Sequence, residues 1–148
     1  MTFLTPVHSV ITERIPFNRL LGIQVVNLTS EKVALRIDMR QEFIGNFLRG
    51  TLHGGVISAT LDLAGGVAVF LSTLNKIEDQ SMERMLDSFA KLGTIDLRVD
   101  YLRPGLGKHF TATAYILRSG NKVAVTRMEL HNDSDDLIAV GTAAYIIA

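Results

Sequence analysis

Two groups in this sequence are typed and spaced for chemistry: the run His53-Gly54-Gly55, and the single carboxylate Asp62 nine residues after the histidine. From Val56 to Leu71 the side chains are almost all apolar, and a helix apolar on every side expects protein all around it. A lone charge in such a place is costly, so Asp62 is either paired or functional. In the functional reading it is a nucleophile or a general base on water. In the structural reading it holds the hydroxyls of Ser58 or Thr60, or a backbone group at a contact between copies. Gly54 and Gly55 fall at the helix start, where N–H groups lack acceptors and the macrodipole is positive. Such an end stabilises an oxyanion growing on a carbonyl. The alternative is that the two glycines only let helix and sheet approach closely. His53 beside them reads as an accessory group that orients a substrate or the loop, not as the base.

Nine residues of helix amount to about 13.5 Å of rise and about 900° of rotation, which sets His53 and Asp62 on opposite faces. They cannot meet within one chain. A site using both is assembled from two subunits, His53 of one near Asp62 of the other across a two-fold axis. Composition points the same way: 47% apolar residues in 148, with a positive mean hydropathy, is high unless surface is buried against another copy.

The rest of the chain must hold that helix. Val7, Val10, Ile11 and Arg14-Ile15 recur at helical spacing and predict a short amphipathic helix over 5–15, stopped by Pro16; 17–22 is a second apolar turn. Ile23 and Val25, then Val33, Leu35, Ile37 and Met39, alternate as two antiparallel strands around a turn at 27–31. Residues 41–52, with Gly45 and Gly50 and no sustained period, read as a loop. After a polar turn at 76–81, Met82, Met85, Leu86 and Phe89 form one face of a short helix, either resting on the core or serving as a methionine-lined lid over an apolar ligand. Four strands come after it, the first carrying Ile95, Leu97, Val99 and Tyr101, then 110–117, 122–130 and 137–147. The expected fold class is α+β: a six-stranded, largely antiparallel sheet curled around one long central helix, with a short N-terminal helix, in a single domain over 1–148.

Fifteen basic and fifteen acidic residues cancel, so nothing marks the chain for nucleic acid. With no cysteine, disulfides, thiolate metal sites and a cysteine nucleophile are excluded, while the redox compartment stays open. Pro6, His8, Glu13, Arg14 and Pro16 break any apolar run of signal-peptide type before Leu21, and the run at 56–71, carrying Asp62, falls short of a membrane span. The expectation is a cytoplasmic protein without a membrane partner.

Pro16-Phe17, Leu21-Gly22-Ile23, Gly50-Thr51-Leu52-His53-Gly54-Gly55, Leu61-Asp62 and Tyr101-Leu102-Arg103-Pro104, set in this order of elements, resemble the hotdog-fold acyl-CoA thioesterases of the phenylacetate-degradation type. The resemblance runs from Pro16 to Ala148. It implies active sites at the interface of a homodimer, with dimers pairing into tetramers. It implies Asp62 as the catalytic carboxylate and His53, Gly54 and Gly55 around the thioester carbonyl. Relatives carry an Asn in the loop before the His; Asn46 is the candidate here, seven residues ahead where six is the family spacing. Thr94 takes the place of a hydroxyl, Ser in relatives, that assists a water; a plain strand-start residue is the other reading.

An acyl-CoA substrate implies no cofactor and no metal, since coenzyme A arrives with the substrate. Its phosphates need cations, for which Arg103, Arg118 and Lys122 at strand ends and turns are candidates. Val56, Ile57, Phe70, Met82, Met85 and Phe89 would line a pocket for a medium or long aliphatic chain, favoured over an aromatic acyl group. The segment 74–93, longer than the family connection, would shape that specificity. Two rival functions are an acyl-CoA-binding domain without turnover, against which Asp62 counts, and a hotdog 3-hydroxyacyl dehydratase, for which no clear acid–base pair is placed.

Overall fold

The computed structural model describes residues 4–148; residues 1–3, the start of the expected 1–148 domain, lie outside the described residues. Helix α1 (Leu4–Ser9) runs on as a π-helical turn, Val10–Arg14, closed by the Ile15 N–H on the Val10 carbonyl. Pro16 then breaks the chain into two short helices. It forces Ile15 into extended backbone (φ −88°, ψ 111°) and itself opens α2 (Pro16–Leu21), where its missing N–H costs nothing. The helix expected over 5–15 is thus present with its last turn widened. The buried Asn18 amide donates to the Ile11 carbonyl at 2.9 Å and ties the two short helices together.

Next come β1 (Gln24–Leu28) and β2 (Val33–Asp38), as the alternation predicts. The stretch that reads as a loop holds a 3-10 turn, Gln41–Phe43, and a small hairpin of β3 (Ile44–Asn46) and β4 (Thr51–Leu52). Strands this short show no period. Helix α3 (Gly54–Asn75) is next, then α4 (Met82–Lys91), β5 (Gly93–Tyr101), β6 (His109–Ser119), β7 (Val123–Asn132) and β8 (Leu137–Ile146). The large sheet has the order β1-β2-β6-β7-β8-β5, every neighbour antiparallel, and curls around α3. This is the six-strand, one-helix architecture the sequence predicts, with β1 and β5 as its edges.

By length and composition the 22 residues of α3 could cross a membrane, contrary to the expectation that this run falls short. In the fold more than half of its apolar stretch is buried. The burial is uneven. Val67 to Leu71 is enclosed, whereas Gly55, Ala59, Asp62, Leu63 and Gly66 form a stripe that the single chain leaves partly open. The helix is therefore not covered on every side within one copy: the sheet wraps one side and α1, α2 and α4 reach only part of the other. Beside it, edge strand β5 exposes Ile95 and Tyr101. Plain alternation predicts Ile95 on the same side as Leu97, but a β-bulge between Thr94 and Asp96 resets the register there.

Candidate active site

Asp62 sits on α3 where two strands bring hydroxyls to it. Thr94, near the start of β5, is the direct cross-strand partner of Tyr145 on β8, and opposite residues of an antiparallel pair point to the same side. Both side chains reach the same carboxylate: Thr94 Oγ1 donates to Asp62 Oδ1 at 2.9 Å, and Tyr145 Oη lies 3.1 Å from Oδ1 and 2.8 Å from the Asp62 carbonyl oxygen. Tyr145 can come this close because residue 65 is glycine. A Cβ there would collide with the phenolic oxygen and stand 2.9 Å from Thr126 Oγ1. Burial, and then the negative charge of Asp62, push the Tyr145 phenol far above its ordinary range, so it stays protonated as a donor. The structural alternative of Asp62 serving Ser58 or Thr60 is not what forms. Those hydroxyls turn back to the Gly55 and Val56 carbonyls at 3.1 and 2.7 Å.

A pocket of about 210 Å³ opens beside Asp62, Thr94 and Tyr145, walled by Val10, Ile11, Ile15, Leu63, Val67, Phe70, Phe89 and Leu92. The Phe70 and Phe89 rings meet edge-on at 5.4 Å, so α4 forms one wall of this cavity. Phe89 lines it. Met85 does not: it is fully buried on the core side of α4 and lines neither this cavity nor the one at His53, which corrects its assignment as a substrate contact. On an amphipathic helix the most inward position goes to the core, and the residue one turn on reaches the cavity rim.

His53 caps α3. Its Nδ1 accepts the Gly55 N–H at 2.7 Å, so a neutral ring carries its proton on Nε2. That bond also explains Gly55, since a Cβ there would stand 2.9 Å from Nδ1. Of the two amides expected to face an oxyanion, Gly55 N–H is therefore engaged by the histidine, and the Gly54 N–H is the one left without an acceptor among the described residues. The His53 N–H is anchored on the Phe43 carbonyl at 2.7 Å, and Tyr101 Oη donates to the Gly54 carbonyl at 3.1 Å. A second cavity of about 430 Å³, lined by Phe17, Leu20, Arg40, Phe43, His53, Gly55 and Val56, adjoins this end. His53 and Asp62 thus line two separate cavities, as the helical arithmetic requires.

The remaining candidates divide between these ends or leave them. Asn46 lies at the β3–β4 hairpin, its Oδ1 accepting the Leu48 and Arg49 N–H groups at 3.1 and 3.3 Å; it shapes a turn and lines neither cavity, which sets it apart from the half-sites. Arg118 and Lys122 flank the β6–β7 turn, at the level where β5 begins. Arg103 lies just past the other end of β5, its Nη1 on the Leu137 carbonyl at 2.9 Å. Eight strand steps, about 26 Å, separate those ends, so within one chain the three cations do not form one phosphate cluster. Tyr145 escapes a reading of the sequence because β8 is a mostly apolar strand in which a tyrosine passes for one more core residue. Its signal in the fold is the pairing of a buried phenol with glycine at 65.

A family model for the thioesterase superfamily matches residues 49–139. The medium/long-chain acyl-CoA thioesterase YigI of Escherichia coli K12 is 46% identical over 132 residues, 89% of this chain and 85% of that protein. A crystal structure from Shewanella oneidensis, of a protein related to the thioesterase superfamily, superposes with a TM-score of 0.92 at 41% identity, covering 99% of this chain and 95% of that one. The Escherichia coli PaaI protein of the phenylacetic acid degradation operon shares the fold at a TM-score of 0.75 and 18% identity, over 92% of this chain and 86% of its own.

Proposed function

The chain belongs to the thioesterase superfamily, and on that premise we propose that it hydrolyses medium- and long-chain acyl-CoA thioesters with Asp62 as the reacting carboxylate. The observation that carries this reading is Asp62 itself: a carboxylate fixed by two hydroxyls at the mouth of an apolar cavity of acyl-chain character. The resemblance of the whole chain to a medium/long-chain acyl-CoA thioesterase supports the choice of substrate.

In this reading two copies form a dimer that covers the open stripe of α3, and dimers pair further. The His53 end of one copy then faces the Asp62 end of the other. The acyl chain enters the cavity between Phe70, Phe89 and Val67, and the thioester carbonyl meets the Gly54 N–H at the positive end of the other copy's α3. Asp62 either attacks the carbonyl carbon, expelling the thiolate and leaving a mixed anhydride that water opens, or takes a proton from the water that attacks. Both routes yield free acid and coenzyme A, with water as the only co-substrate. The same pairing draws Arg103 of one copy toward Arg118 and Lys122 of the other, which supplies cations for the phosphates that one chain alone keeps apart.

The test is thiol release from short, medium, long and aromatic acyl-CoAs by the wild type, Asp62→Asn and Asp62→Ala. Loss of turnover in both variants with retained folding supports the reading, and wild-type rates in both would sink it. Tight acyl-CoA binding without release in the wild type would mean a binding domain instead.

A further inference from the structure

We propose that Tyr145 is a positioning residue: with Thr94 it fixes the Asp62 carboxylate through Oδ1 and so assigns Oδ2 as the oxygen that reacts. The inference rests on the reading of Asp62 as the catalytic carboxylate. The terminal torsion of an aspartate is broad and roughly two-fold, so an unheld carboxylate presents either oxygen over a wide arc. Here Oδ1 receives Thr94 at 2.9 Å and Tyr145 at 3.1 Å, and Oδ2 has no partner among the described residues. One oxygen is anchored and the other is free.

The phenol does more than fill space. Its oxygen also lies 2.8 Å from the Asp62 main-chain carbonyl, so its one proton is shared between the side chain and the backbone of the same residue. The ring is 1% exposed, and a buried hydroxyl is costly unless hydrogen-bonded, so phenylalanine would be the cheaper occupant of that core position if packing were its whole task. The glycine at 65 points the same way, because the helix gives up a Cβ where the hydroxyl crosses it. Tyr145 borders the cavity, but its hydroxyl is turned to Asp62. It acts through Asp62.

The test compares full-length wild type, Tyr145→Phe and Asp62→Asn by thiol release from decanoyl-CoA, with thermal unfolding measured alongside. Tyr145→Phe keeps the ring and removes only the hydroxyl; the expected result is a kcat lowered roughly 10- to 100-fold with KM within about twofold, since misplacing a reacting group slows the chemical step rather than binding. Wild-type kcat in the folded variant, or a loss carried by KM alone, overturns the proposal. Asp62→Asn separates the two levels. If it is inactive while Tyr145→Phe is fully active, this inference alone fails; if Asp62→Asn retains wild-type activity, the reading of Asp62 fails and takes this inference with it. Should Tyr145→Phe not fold, the Tyr145 hydroxyl proton is followed by NMR in wild type and Asp62→Asn. A resonance that moves on the substitution supports the bond to the carboxylate, and an unmoved one overturns it.

Discussion

Replacing Gly65 by alanine adds one methyl group at a tight point of the buried core. The new Cβ would collide with the Tyr145 hydroxyl, stand 2.9 Å from Thr126 Oγ1 and 3.1 Å from Tyr145 Cζ, all within the buried core. Forcing a methyl into a filled core costs about 1–3 kcal/mol. Displacing the phenol from its carboxylate partner adds about 1.5–3 kcal/mol, and the better helix propensity of alanine returns about 1 kcal/mol. The net loss is about 1.5–5 kcal/mol, which for a chain of this length lowers Tm by roughly 3–20 °C. Gly66 supplies the control. A Cβ there would be 3.6 Å from the Tyr145 ring, an ordinary contact, so within one chain Gly66→Ala avoids the clash of Gly65→Ala and is expected to melt above it. Scanning calorimetry on the two variants, with thiol release measured on each, checks the pair. A Gly65→Ala protein as stable and as active as wild type would refute the close approach of Tyr145 to α3.

Asp62→Asn is expected to lower kcat by about 10²–10⁴-fold, the range a general base or its equivalent supplies, with folding retained in circular dichroism. Phe89→Ala removes a ring from the cavity wall and its contact with Phe70; because Phe89 is only partly buried the loss is about 2 kcal/mol, and the preferred acyl chain in a competition assay lengthens. Asp38 sets part of the acid sensitivity: hydrogen bonds from Arg36, then Gln24, hold its carboxyl below the ordinary 3.8, so the folded chain binds its proton less readily than the unfolded one. That stabilisation is present above this value and is lost as pH falls below it. Asp38→Asn is expected to lower Tm slightly at neutral pH and to match wild type in strong acid, as thermal melts across pH would show.

The long elements are legible in the sequence because their periods are long. A sixteen-residue, mostly apolar run with one carboxylate announces α3, and the alternations of β2, β6, β7 and β8 announce the sheet. The hairpin of β3 and β4 is not legible, since two or three residues carry no period and its turn depends on the Asn46 side chain closing on Leu48 and Arg49. At the site, helical arithmetic alone separates His53 from Asp62. It cannot deliver the partners of Asp62, because Thr94 and Tyr145 become neighbours only through the β5–β8 register, which joins residues fifty-one positions apart. The cations escape for a related reason: Arg103, Arg118 and Lys122 all lie at strand ends, but sequence does not say at which end of the sheet. Met85 and Phe89 occupy one face of α4 and part company over a tilt that only packing sets.

The irregularity at Ile95 places an unusual kind of demand on the gene. Thr94 has even parity and Leu97 and Val99 odd, so in an unbroken strand the threonine would turn its back on the helix that the other two touch. The extra residue shifts the phase, and all three look inward. What matters at position 95 is thus that a residue is there, whatever its side chain. A substitution at 95 would leave the phase of the strand intact, while a single codon deletion would keep the sheet and rotate the Thr94 hydroxyl away from Asp62.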